Sequence, residues 1–183
     1  HPNIPDFILN TLFARDLRDT KSIEQFLYPN IETQSHDPFL FSHMQKAVER
    51  IFRAINANEK IWIHGDYDAD GINAAAILYT TLQKLGALVS VFLPHRERDG
   101  YGISAHTIKY LNGQGARVLI SCDCGIANVE EITEAQKNGI DVIVTDHHQF
   151  KETLPPAYAI LHPKISGETY PDSTLSGGGV AFK

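Results

Sequence analysis

Cysteine is scarce: Cys122 and Cys124 are the only two in 183 residues, and one aspartate separates them. Neighbours that close build no disulfide framework, so the fold has to rest on its apolar core, in keeping with a reducing compartment. Long apolar runs are missing too. No stretch approaches the roughly 20 residues that cross a bilayer, and no charged-then-apolar leader is read at the start. The expectation is a cytoplasmic protein without a membrane partner. Positive charge is in short supply: 16 Lys and Arg stand against 22 Asp and Glu, a formal net charge of −6. That excludes nucleic-acid binding by bulk positive charge, though not a site that takes a polyanion through bound metals and a few local basic residues. What is present, 43% hydrophobic and 21% charged residues, is an ordinary globular composition. Its length suits one full α/β domain with a small appendage.

Into this ordinary background falls "HGDYDADG" at residues 64–71, where Asp66, Asp68 and Asp70 alternate and run into Gly71. An EF-hand calcium loop begins this way, but it needs a bidentate Glu at its twelfth position and a helix leading into it. The twelfth position counted from Asp66 is Ile77, and the approach "KIWIH" is an apolar run of strand type. The calcium reading fails on both counts.

The surrounding pattern says where these acids sit. The first part of the chain reads as helical. "DTKSIEQFLYP" has Asp19 or Thr20 as a cap and Pro29 as a stop, residues 30–41 read as a loop, and "MQKAVERIFRAINANEK" sets Ala47, Val48, Ile51, Phe52 and Ile55 on one face, with Asn58 near its end. From Lys60 onward strands and helices alternate. "KIWIH", "LVSVFLP", "ARVLISCD", "DVIVTD" and "YAILHP" read as strands. Helices fall between them: one stops at Gly86, one is opened by Ser104, and one has Asn128 as cap and Glu131 in the capping-box position. This rhythm predicts an α/β fold, a parallel sheet flanked by helices, with a short N-terminal helical segment over 1–56 and the sheet domain over 57–183. The opening "HP" reads as a trimmed start and the closing "LSGGGVAFK" as a Gly-rich turn entering a helix, so the chain reads as a fragment truncated at its C-terminal end.

In open parallel sheets the functional crevice lies at the carboxyl ends of the strands. Here the first strand ends in His64 and leads to Asp66, Asp68 and Asp70; the third ends in Asp123 within "SCDCG"; the fourth ends in Asp146, His147 and His148. Acids gathered so closely repel one another and are costly to bury unless cations offset them. Carboxylate and imidazole together suit a transition metal such as Mn²⁺, whereas Mg²⁺ prefers oxygen alone. Two such metals are a general solution for phosphodiester hydrolysis, so the residues alone point to a metal-assisted phosphoesterase.

"HGDYDADG", the aspartate of "SCDCG" and "TDHH" resemble motifs I to III of the DHH phosphoesterase superfamily. "HDPFLF", "PHRERDGYGIS", "GIDVIVTDHH" and "LSGGGVAFK" extend the likeness, in collinear order from about Asp19 to Lys183, to its RecJ-like single-stranded-DNA-specific exonucleases. The resemblance implies Mn²⁺ or Mg²⁺ in a two-metal site, with His64 and Asp68 on one metal, Asp70 and His147 on the other, and Asp123 bridging. It implies that His148 contacts the phosphate or the nucleophile's surroundings and that Asp146 orients the histidines. Asp66 is extra to the pattern: either it supports the turn or it touches a metal. The implied activity is 5′-to-3′ hydrolysis of single-stranded DNA in repair and recombination, with other repair proteins as possible partners. A DHH phosphodiesterase on short oligonucleotides or cyclic dinucleotides and a non-catalytic replication scaffold are the alternatives. The family's motif IV aspartate is missing, since Asp172 in "YPDSTLSGG" does not match its context, and so is the family's second half.

Outside the motifs, Arg96 and His95 in "PHRERDGYG" are placed to meet substrate phosphate, while Arg98 stays open. Tyr101 either stacks a base or packs the loop. Cys122 and Cys124 read as core, turned by strand alternation from the face Asp123 uses. His36, His43, His106 and His162 lack partners at ligand spacing and read as surface or satisfied core. Trp62 reads as strand core, and the Gly-rich turn as either a phosphate cradle or close packing.

Overall fold

The computed structural model describes residues 4–150 and 153–183; the opening His-Pro pair lies outside the described residues. Two compact units divide the chain, one running to His36 and the other from Asp37 to Lys183. The first holds α1 (Asp6–Phe13), α2 (Thr20–Leu27) and α3 (Ile31–Gln34). Of the two candidates for the α2 cap, Asp19 takes the position, its side chain accepting from Ser22 N at 3.0 Å. The sequence reading misses α1 and sees a loop where α3 forms a single turn capped by Asn30. A helix that short leaves no apolar periodicity to read.

The second unit is built on a five-stranded parallel sheet of β1 (Lys60–Gly65), β2 (Leu88–Phe92), β3 (Ala116–Cys122), β4 (Asp141–Thr145) and β5 (Ala159–Leu161), in the order β2-β1-β3-β4-β5. Its helices are α4 (Met44–Asn56), α5 (Ala69–Lys84), α6 (Ala105–Gly113), α7 (Val129–Lys137) and α8 (Gly177–Phe182). Strand alternation sorts the core into two layers. Val118, Ile120 and Ile143 face one side together with residues of α4, α5 and α8, while Leu119, Val142 and Val144 face the other with residues of α6 and α7. Each fully buried Ile, Leu or Val contributes roughly 1.5–3 kcal/mol, which is why near-continuous apolar strands stay inside a doubly covered sheet.

The unit boundary at 36/37 differs from the 56/57 division read from sequence, because α4 packs its apolar face onto the sheet. That face is Met44, Ala47, Ala54 and Arg50, whereas Phe52 is 48% exposed. Arg50 is buried because Glu59 meets its Nη1 at 2.7 Å and Asp141, at the start of β4, meets its Nε. Long-range charge pairs of this kind leave no periodic signal. The α7 start has the expected N-cap residue with different hydrogen bonds. Asn128 stands at the N-cap without capping the helix; its amide instead accepts from Ile103 N and donates to Ile103 O and Glu131 Oε2. The capping-box pair exists, but it ties α7 to the loop before α6.

Candidate functional site

The strand order places the site. The chain leaves β1 for β2 on one side and returns to β3 on the other, so a crevice opens beyond the carboxyl ends of β1 and β3. Register then sets the residues in line. Gly65 pairs with Cys122, Cys122 with Thr145, and Thr145 with Leu161, so the next residue of each strand end is Asp66, Asp123, Asp146 and His162. All four are buried.

Motif I turns directly from β1 into α5. Asp68 is the N-cap of that helix, its Oδ1 accepting from Asp70 N at 2.9 Å and Gly71 N at 3.0 Å. Gly71 is required by packing: a Cβ there would lie 2.5 Å from Asp66 N. Asp70, in the first turn, receives Gly178 N on Oδ1 at 2.7 Å and Gly177 N on Oδ2 at 2.8 Å. The Gly-rich turn therefore binds the carboxylate of Asp70. A Cβ on Gly177 would come within 2.3 Å of Asp123 Oδ1, so only glycine fits between the two acids.

Asp123 is the centre. Its backbone is left-handed, with φ 60°, and its N–H donates to Thr145 O at 2.9 Å. The side chain is 1% exposed, and Oδ1 accepts no hydrogen bond, although His147 Nε2 stands 3.1 Å away. Two sets of ligand-bearing side chains meet at this residue, Asp66–Asp68–Asp123 and Asp123–His147–His148, each with ligand atoms within 4.8 Å of one another. Asp70 Oδ2 lies 3.7 Å from His147 Nε2. Burial, and next the charge of Asp70, push the Asp123 carboxyl up to about 7. Burial also raises Asp66. Asp70 goes the other way: burial would raise it, but the Gly178 and Gly177 amides, together with Ser176 and His147, hold it below the usual range.

The Asp146–His148 turn is organised by Asp146. Its Oδ1 accepts from His147 N at 2.7 Å, His148 N at 3.1 Å and His148 Nδ1 at 2.8 Å, and its Oδ2 accepts from Ile126 N at 3.0 Å. Burial works against the charged form of His148, yet the Asp146 hydrogen bond and charge hold it above its ordinary value. His147 lies below its ordinary value, through burial and the neighbouring His148. Tyr101 brings its hydroxyl to 3.2 Å from His148 Nδ1, and burial raises its phenol well above the usual range.

His64 stands apart from both three-residue sets. Its ring is fully buried against Phe92, Nδ1 is 3.5 Å from Cys124 Sγ, and Nε2 has no partner. Burial depresses its pKa to about 4. Cys124, read from the sequence as core, is buried but also touches this histidine. Arg96 lies over the Tyr67 ring at 5.2 Å and contributes its charge at Asp66, and it is exposed. His95 turns back on its own loop, its Nδ1 accepting from Glu97 N at 3.3 Å and its N–H donating to Asp99. Asp172 caps a turn, accepting from Thr174 N and Oγ1. The sequence reading missed the Gly177–Gly178 clamp and the row position of His162; only strand register brings out the latter.

An orphaned buried carboxylate oxygen, an orphaned buried imidazole nitrogen and two convergent acid and histidine sets fit divalent cations, and a mixed oxygen and nitrogen donor set suits Mn²⁺. The chain is 40% identical over 181 residues to the single-stranded-DNA-specific exonuclease RecJ of Bacillus subtilis (strain 168), covering 99% of this chain and 23% of that protein. It therefore spans about a quarter of that relative's length. Among solved structures it resembles exonuclease RecJ bound to manganese, with TM-score 0.73 and 35% identity over 80% of this chain and 37% of the other. RecJ of Thermus thermophilus in complex with Mn²⁺ gives TM-score 0.69 and 31% identity over 93% and 23% of the two chains. Residues 60–183 match the family described as "DHH family, N-terminal domain", and the chain belongs to that family.

Proposed function

We propose that this chain carries the metal-binding part of a single-stranded-DNA exonuclease that works from the 5′ end in DNA repair and recombination, in the cytoplasm, with Mn²⁺ or Mg²⁺. The observation that carries the reading is Asp123: one buried carboxylate, with an unpartnered oxygen, shared by two sets of acids and histidines. A carboxylate shared in this way would serve a cation in each set. Asp66 and Asp68 would hold one cation with it; His147 and Asp70 would hold the other. His64 joins the first only if its buried Nε2 is turned to that cation. Bound there, the cations supply an activated water and offset the charge on the phosphoryl group.

The protein's own groups do the rest. Asp146 keeps the His148 ring aimed and favours its protonated form, in which Nε2–H donates to a phosphate oxygen. Arg96, steadied on Tyr67, meets a second phosphate, and Tyr101 offers a ring face beside His148. Few basic residues are needed, because bound cations carry most of the positive charge. No helix among the described residues is long and apolar enough to cross a membrane.

Calorimetric titration of Mn²⁺ into the chain and into Asp123→Ala, with a nuclease assay on 5′-labelled single strands, tests the reading. Saturable Mn²⁺ binding lost in the variant supports it. Binding that ignores the substitution removes the bridge and, with it, the proposal.

A further inference from the structure

The row of strand-end residues contains one member that the motifs do not use. His162 follows β5 in register with Asp66, Asp123 and Asp146, and it is fully buried. Both ring nitrogens are committed. Nδ1 accepts from Lys164 N at 3.1 Å, so the proton sits on Nε2, which donates to the His148 carbonyl at 2.8 Å. Burial lowers its pKa, in keeping with a neutral ring. Phe150 closes its flank edge-on, with ring centroids 5.1 Å apart. Two residues on, Lys164 reaches the same turn, its Nζ donating to the His147 carbonyl at 3.0 Å.

The backbone of the Asp146–His148 turn is thereby gripped from two sides. Its amides at His147 and His148 donate to the Asp146 carboxylate, and its carbonyls at the same residues accept from Lys164 and His162. Fixing both peptide planes fixes the Cα–Cβ direction of both histidines, and partners behind a ligand orient it in this way. We propose that His162 and Lys164 are positioning residues that aim His147 and His148 into the site by holding their carbonyl oxygens. The inference rests on the function proposed above and extends it to residues outside the motifs.

Lys164 is exposed, so Lys164→Met removes the ammonium without disturbing the core. His162→Gln keeps a donor at the reach of Nε2; His162→Leu keeps bulk and loses the donor. In the metal-free chain, long-range proton–nitrogen NMR should show His162 as the Nε2–H tautomer. The ring signals of His147 and His148 should move in Lys164→Met and His162→Leu and stay near wild type in His162→Gln. Mn²⁺ affinity should follow the same order, with losses of about 10-fold to 100-fold where the grip is broken. Unmoved ring signals in Lys164→Met and His162→Leu overturn the inference, as does equal damage from Gln and Leu, which would mark His162 as packing alone. If the wild-type chain binds no Mn²⁺, the proposed function fails by that result, while the metal-free ring signals still decide this inference.

Discussion

Asp123 shows how one residue can be costly to the metal-free fold and central to the site. Its side chain is 1% exposed and its carboxyl is pushed up to about 7 from 3.8, by burial first and Asp70 second. Between those values the folded protein holds a proton that the unfolded chain releases. Metal-free stability therefore falls as pH rises through that window. Asp123→Asn never ionises and escapes the loss. Urea unfolding without metal should find Asp123→Asn more stable than wild type at about pH 8 and the advantage smaller at about pH 5. An advantage independent of pH would mean that the charge is not what strains the site. Added Mn²⁺ should stabilise wild type at the higher pH and leave the variant where it was, because a cation bound only by the folded state raises stability by mass action. Asp123 stood out as a candidate only in company: one acid after a strand can be a cap, but acids and histidines at three strand ends of a parallel sheet point to one crevice. The orphaned oxygen was not legible in the sequence: it depends on what β1, α8 and the Asp146–His148 turn place around it.

At the scale of elements, α5 begins inside the acid motif, so the carboxylate that caps the helix also stands among the acids of the proposed site. Asp68 Oδ1 takes two amides of the first turn, which leaves Oδ2 out of the cap. Asp68→Asn keeps an N-cap of similar quality, whereas Asp68→Ala loses it at a cost of about 1 kcal/mol. Denaturant unfolding should therefore leave Asn within a few tenths of a kcal/mol of wild type and lower Ala by about 1 kcal/mol, while calorimetry shows weaker Mn²⁺ binding by both. If Asn binds as tightly as wild type, Asp68 is a cap and nothing more. The Gly-rich turn is a comparable case. Whether "SGGG" cradled a phosphate or packed closely was open from the residues alone. Its Gly177 and Gly178 amides go to Asp70, and its lack of side chains admits Asp123. The same limit governs α4, where helical spacing identified an apolar stripe but put Phe52 on it, and said nothing of the buried Arg50.

For the whole molecule, the sheet and its two covering layers lie within the unit from Asp37 to Lys183, as do Asp66, Asp68, Asp70, Asp123, His147 and His148. A chain beginning at Asp37 should melt cooperatively and keep its Mn²⁺ affinity, followed by circular dichroism and calorimetry. A chain beginning at Lys60, at the start of the family match, should not, because it lacks α4 with Met44, Ala47 and Ala54 from one core layer and Arg50 from beside Asp141. Equal behaviour of the two would show that α4 is dispensable to the sheet.

From the sequence by itself came the alternation of strands and helices, the parallel sheet, and the acids and histidines at its strand ends. Each of these is local, written in a period of about two or 3.6 residues and in the residue that follows an apolar run. Tertiary structure alone decided which strand ends stand side by side, because register is a relation between segments far apart in the chain. That relation put Asp66, Asp123, Asp146 and His162 in one row, set His64 apart beside Cys124, and gave the amides of Gly177 and Gly178 to Asp70.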